Sequence, residues 1–184
     1  ASILLVGPLL ARQGKAQSHF PGGDVIGKRN IKVHLDGFEV LGAHLRQEDL
    51  EFSIEYPGRK RPSRNSNIFL EEASCTALEN LLKASVLGDG EITIRNCPKE
   101  PQIVDLCQML ISMGASIQGV GTDTLVVKGV VKLSGTTFKV SDDYIEVATY
   151  AIVAAITQGK IKLICNPNLD LEPIMVVLSR FGIS

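Results

Sequence analysis

Helices alternating with short strands, in three copies of one pattern, place this chain in the α/β class, of the α+β kind built from repeated units. Two further observations narrow the choice. The 184 residues suffice for one ordinary domain or two small ones. The 45% hydrophobic fraction is almost wholly aliphatic, with no Trp, three Tyr and six Phe, beside 21% charged residues. That composition belongs to a globular chain, not a disordered or fibrous one.

The repeated unit reads as helix, Gly, short strand, Pro or Gly turn, second helix, Gly, strand. Its first copy runs through Gln13-Gly14-Lys15, Pro21-Gly22-Gly23, a helix over Arg29 to Leu41, and Gly42-Ala43-His44-Leu45. The second has Asp89-Gly90-Glu91, a strand from Ile92 to Arg95, Asn96-Cys97-Pro98, a helix from Pro101 to Met113, and Gly114-Ala115-Ser116-Ile117. The third has Gln158-Gly159-Lys160, a strand from Ile161 to Cys165, Asn166-Pro167-Asn168, a helix from Glu172 to Phe181, and Gly182. Glycines 42, 114 and 182 set a period of about 70 residues.

Apolar spacing supports each helix. Ile31, Leu35, Phe38 and Leu41 form one stripe; Ile103, Leu106, Cys107, Leu110 and Ile111 form the next; Leu171, Ile174, Leu178 and Phe181 the third. Pro101 suits a first helical turn and Gly114 the left-handed residue after a last one. Further helices are expected over Ser2 to Arg12, Thr76 to Leu87 and Tyr144 to Thr157. Strands are expected at Glu51 to Glu55, Ile68 to Leu70, Thr124 to Lys128 and Thr137 to Val140. Asp143 is the expected N-cap of the helix at Tyr144, and Ser74 and Thr76 stand where a helix start can be capped or can hold a phosphate.

Composition also excludes functions. Nineteen Lys and Arg against twenty Asp and Glu leave no field to gather nucleic acid or an anionic membrane. The longest apolar run, Ile3 to Ala11, is interrupted by Gly7-Pro8 and ended by Arg12, far short of a membrane span. Cys75, Cys97, Cys107 and Cys165 have no CxxC pair and no flanking His, so they read as reduced thiols of a cytosolic protein rather than zinc ligands. His19, His34 and His44 lack metal-ligand spacing. The basic run from Tyr56 to Asn67 reads as a solvated turn between strands in preference to a phosphate site or a targeting tag. The chain opens at Ala1 without Met and stops where the repeat would start another strand, so an internal fragment is expected.

One loop asks for chemistry. In Pro21-Gly22-Gly23-Asp24-Val25-Ile26-Gly27-Lys28-Arg29, three glycines let backbone N–H groups face an anion, and Lys28 and Arg29 stand where a helix begins. Asp24 is an acid that becomes a proton donor only if burial or a bound polyanion raises its pKa. The loop also matches most of a Walker A motif. However, Arg29 occupies the Ser or Thr position that holds magnesium, and Gln17-Ser18-His19-Phe20 is a poor buried strand before it. A structural glycine turn is the third reading.

Ala1 to Gly14, Pro21 to Arg29, Lys99-Glu-Pro-Gln-Ile-Val-Asp105, Gly121-Thr-Asp-Thr and Asp143-Tyr-Ile-Glu together closely resemble the UDP-N-acetylglucosamine enolpyruvyl transferase family, colinearly and over essentially the whole chain. The resemblance implies βαβαββ units forming an inside-out α/β barrel, here truncated: residues 1–134 as the latter two repeats of one domain and 135–184 as the first unit of the other. It implies transfer of enolpyruvate from phosphoenolpyruvate to the 3-hydroxyl of UDP-N-acetylglucosamine, the first committed step of peptidoglycan synthesis in the bacterial cytoplasm, with no cofactor or metal.

Carried over by position, Asp24 takes the mobile-loop site that is a cysteine in most members and serves in proton donation. An aspartate there implies insensitivity to fosfomycin. Arg29 matches a substrate-contacting arginine and Lys28 a possible phosphate contact; Ile31 and Val33 match uridine-site positions, and Ser74, Cys75 and Thr76 the segment that wraps the diphosphate. Asn30, Lys32, Glu72 and Thr76 depart from the usual proline, aspartate, lysine and glycine, which leaves a noncatalytic paralogue or scaffold as the alternative. The fragment alone is expected to be inactive, because a base and further phosphate ligands fall outside it.

Overall fold

The structure is a computed structural model and describes residues 2–20, 31–58, 65–166 and 169–183. The chain divides into two compact units, Ala1–Phe138 and Lys139–Ser184.

In the first unit a 3-10 turn, Ser2–Leu5, leads into α1 (Val6–Gln13) and β1 (Lys15–His19). There follow α2 (Lys32–Val40), β2 (His44–Gln47) and β3 (Glu51–Glu55). Next come β4 (Ser66–Phe69), α3 (Cys75–Ser85), β5 (Glu91–Arg95), α4 (Pro101–Ser112), β6 (Ser116–Gln118) and β7 (Thr124–Lys128). β1, β3 and β2 form one sheet in that order, antiparallel throughout. The second sheet has the order β4-β5-β7-β6, with β4 parallel to β5 and the other pairs antiparallel.

The two sheets share a topology. β5-β7-β6 repeats β1-β3-β2, and β4-α3-β5-α4-β6-β7 is one complete βαβαββ unit, so the repeat read from glycine spacing is a repeat of strand pairing. Gly42, Gly114 and Gly182 all have positive φ, at 90°, 101° and 74°, the left-handed conformation that ends a helix at little steric cost.

Burial follows the pleat and the helical stripe. Phe52 and Ile54 of β3, Ile92 and Ile94 of β5, and Leu125 and Val127 of β7 point inward in alternation. Ile31, Leu35, Phe38 and Leu41 are all buried beneath α2. α3 lies between α1 and α2 because its neighbours carry glycine at the crossings. A Cβ on Gly7 would come within 2.1 Å of the Asn80 carbonyl oxygen, and one on Gly37 within 2.6 Å of the Leu81 side chain.

The helix expected over Ser2 to Arg12 is instead broken after Leu5. Pro8 has no N–H for the Leu4 carbonyl, which the Lys83 ammonium satisfies at 3.1 Å. The next link of the ladder, Gly7 to Ile3, is completed by a side chain: the Asn80 Oδ1 accepts from the Gly7 N–H at 2.7 Å and its Nδ2 donates to the Ile3 carbonyl at 2.8 Å.

The second unit holds α5 (Tyr144–Ile156) and α6 (Glu172–Arg180). Asp143 caps α5 as expected, its Oδ1 accepting from the Ile145 and Glu146 amides at 2.8 and 3.4 Å. The strands expected at Thr137 to Val140 and Ile161 to Cys165 make no ladder among the described residues. Alternating residues supply propensity, but a strand exists only as half of a pair. The stripe expected on α6 buries only Leu178, and α5 buries no residue.

Candidate active site

The glycine loop with Asp24, Lys28 and Arg29 lies outside the described residues. What precedes it is described: β1 is an edge strand, antiparallel to β3, with only Ala16 buried. A Walker A loop follows a buried strand of a parallel sheet, so this setting disfavours that reading.

The remaining candidates gather where α2 and α3 begin. Ile31 occupies the N-cap position of α2 with its side chain in the core and makes no side-chain cap hydrogen bond. Val33, in the first turn of α2, is half-buried and lines a cavity of about 170 Å³ with Gly37, Val40, Ile68 and Leu70. Charge rims that cavity: the Lys32 ammonium pairs with Asp36 and stands 3.8 Å from Glu71. Asp36 holds the Lys32 pKa above the usual lysine range.

At the start of α3, Ser74 is the N-cap, its Oγ accepting from the Ala77 N–H at 3.3 Å and lying 3.4 Å from the Thr76 Oγ1. Thr76 is exposed. Cys75 contributes no thiolate, because burial first and the neighbouring Glu100 carboxyl second push its thiol up to about 11. Its polar contribution to an anion there is the backbone N–H.

Behind Thr76 lies a polar cluster that sequence reasoning missed. His34, only 4% exposed, places Nε2 3.5 Å from the Thr76 Oγ1 and Nδ1 3.2 Å from the Asn80 Nδ2. Asn80 is fully buried. Burial, then the nearby Lys83 charge, pushes the His34 imidazole down to about 4. A signal existed: Asn80 falls within the run Ala77, Leu78, Leu81 and Leu82, where an amide on an otherwise apolar face requires internal partners.

Other motifs are structural in this fold. Pro101 starts α4 beside Glu100, and Gly121-Thr122-Asp123 forms the β6–β7 turn, whose Asp123 carbonyl accepts from the Cys97 N–H at 2.9 Å. All four cysteines are free. Among the described residues no group of three or more His, Cys, Asp or Glu could hold a metal, and no helix is long and apolar enough to cross a membrane.

The profile of the EPSP synthase family (3-phosphoshikimate 1-carboxyvinyltransferase) matches residues 1–178. The chain belongs to this family of enolpyruvyl transferases. Among curated relatives, the UDP-N-acetylglucosamine 1-carboxyvinyltransferase of Shewanella piezotolerans is 42% identical over 184 residues, all of this chain and 43% of the relative. That of Shewanella sediminis is 41% identical over the same span, again 43% of the relative. The chain therefore spans less than half the length of the curated relatives it matches. Among solved structures, the enolpyruvyl transferase NikO of Streptomyces tendae aligns with a TM-score of 0.71 at 20% identity, covering 98% of this chain and 43% of that one. EPSP synthase from Acinetobacter baumannii aligns at 0.68 and 20%, covering 98% and 40%. The enolpyruvyl transferase fold expected from the sequence is thus the fold of the chain.

Proposed function

We propose that this chain is part of a UDP-N-acetylglucosamine enolpyruvyl transferase, moving enolpyruvate from phosphoenolpyruvate to the sugar 3-hydroxyl in the bacterial cytoplasm. The observation that carries this reading is identity above 40% along all 184 residues to relatives of that name. The geometry agrees with it, because the first turns of α2 and α3 meet at the His34–Thr76 contact. Residues 1–134 then form the latter two repeats of one domain and 135–184 the first unit of the other.

In this reading the free N–H groups at the start of α3, with Ser74, Cys75 and Thr76, take the diphosphate. Ile31 and Val33 shape the uridine side. Arg29, aided by Lys28, clamps the substrate phosphate. Asp24 serves as the acid that protonates the phosphoenolpyruvate methylene, and its carboxylate gives fosfomycin no thiol to capture. No metal or cofactor takes part.

Phosphate release from phosphoenolpyruvate, measured with and without UDP-N-acetylglucosamine on the protein in its full natural length, tests the proposal. Release dependent on the sugar nucleotide, and lost in Asp24→Asn, is the expected result. Absence of both turnover and nucleotide binding overturns it. One observation favours a second reading, a noncatalytic paralogue: the lysine at position 32 is engaged by Asp36 and Glu71, and Glu72 is an exposed acid on the same approach. Calorimetry showing no binding supports that reading.

A further inference from the structure

We propose that His34 is a positioning residue: it holds the Thr76 hydroxyl with its hydrogen directed away from the core, as a donor to an anionic oxygen at the first turn of α3. This deepens the proposed function, since it rests on a diphosphate lying at that turn.

The argument is a donor and acceptor count that begins in the core. Two backbone groups fix the orientation of the Asn80 amide. The Gly7 N–H can only donate, so the atom 2.7 Å from it is the amide oxygen; the Ile3 carbonyl can only accept, so the atom 2.8 Å from it is the amide nitrogen. The Asn80 Nδ2 has a second hydrogen, directed at the His34 Nδ1 3.2 Å away. That ring nitrogen must therefore accept and carries no proton. A neutral imidazole has one proton, which is then on Nε2, 3.5 Å from the Thr76 Oγ1. Nε2–H donates, Thr76 accepts, and the threonine's own hydrogen is turned away from the ring, toward the Ser74 Oγ 3.4 Å away or a ligand oxygen on the solvent side.

The other protonation states are disfavoured by the same neighbours. Protonating Nδ1 would set an N–H against the Asn80 amide hydrogens, inside a site where His34 is 96% hidden from water and the Lys83 charge is close. On the outer side Thr76 is exposed, and an anionic oxygen arriving there is a stronger acceptor than the neutral Ser74 Oγ, which already accepts one hydrogen bond from the Ala77 N–H. A donor of set direction is what an incoming phosphate oxygen requires, since the hydroxyl need not be turned at the moment of binding. Lys32 is paired with Asp36, and Glu71 and Glu72 are exposed acids nearby, so a fixed neutral donor carries more of the recognition here than it would beside a free lysine.

Two measurements on the protein in its full natural length decide the matter. Nitrogen-15 spectra of histidine-labelled protein should show His34 as the Nε2–H tautomer, unchanged between about pH 5.5 and 8; an Nδ1–H tautomer or an imidazolium in that range overturns the proposal. Calorimetry with UDP-N-acetylglucosamine supplies the second readout. Thr76→Val should weaken binding about tenfold, the range of a hydrogen bond to a charged group, with Thr76→Ser restoring it. His34→Gln should weaken binding by a similar factor when Thr76 is present and hardly at all in the Thr76→Val background. Equal losses in both backgrounds mean that His34 acts only through general stability, and refute the positioning role while leaving the proposed function intact. A wild-type protein that binds no UDP-N-acetylglucosamine refutes both.

Discussion

Replacing Asn80 with alanine should destabilise the first unit more than any exposed substitution. The side chain is fully buried and serves three partners that have no water to turn to: the Gly7 N–H at 2.7 Å, the Ile3 carbonyl at 2.8 Å and the His34 Nδ1 at 3.2 Å. Each buried polar group left unpaired costs roughly 1–3 kcal/mol. Two of the three are main-chain groups at the break between the 3-10 turn and α1, where Pro8 has already removed one ladder bond. If a water enters the space and satisfies one of them, the loss is still about 3 kcal/mol, a large share of the ~5–15 kcal/mol that holds a domain together. Urea unfolding followed by far-ultraviolet circular dichroism should show the midpoint falling by about 1–3 M, from the usual slope of 1–3 kcal/mol per molar. Asn80→Asp keeps the acceptor for Gly7 but loses both donors, so it should be destabilising as well. A loss below about 1 kcal/mol for Asn80→Ala would refute the claim that this amide completes the broken helix.

Acid sensitivity should report His34. Its folded pKa, near 4, lies below the ordinary 6.5, so the unfolded chain binds the extra proton. The stability contribution is whole above about pH 6.5 and is lost as pH falls toward 4, by about 3 kcal/mol in total. Unfolding curves at several pH values should show this slope in the wild type and not in His34→Gln; parallel profiles would contradict it. The helix caps offer a smaller, local check. Asp143→Ala, which strips two α5 amides of their acceptor, and Ser74→Ala at α3 should each cost about 1 kcal/mol, with Asp143→Asn nearly neutral. Thermal melts of the three variants measure it, and a Ser74→Ala protein as stable as wild type would deny that cap any structural weight.

Glycine spacing and helical stripes carried most of the fold. The left-handed residues at 42, 114 and 182, the α2 stripe from Ile31 to Leu41 and the Asp143 cap are each decided within a few residues of chain. Local sterics and local hydrogen bonds set them, so they can be read without a structure. The expected strands at Thr137 to Val140 and Ile161 to Cys165 show the limit of that reading, since a ladder depends on a second segment far away in sequence.

The candidate site divides along the same line. Composition marked the Asp24 loop, and position at an expected helix start marked the hydroxyls of Ser74 and Thr76. The coupling of Thr76 to the core through His34 and Asn80 could not be read, because it joins residues 42, 46, 73 and 77 positions apart. What the amino-acid order determined by itself was the repeat, its helices and the residue types offered to a ligand. Tertiary packing alone decided which nitrogen of a buried imidazole bears its proton, because that depends on three chain segments brought within hydrogen-bond distance where water cannot enter.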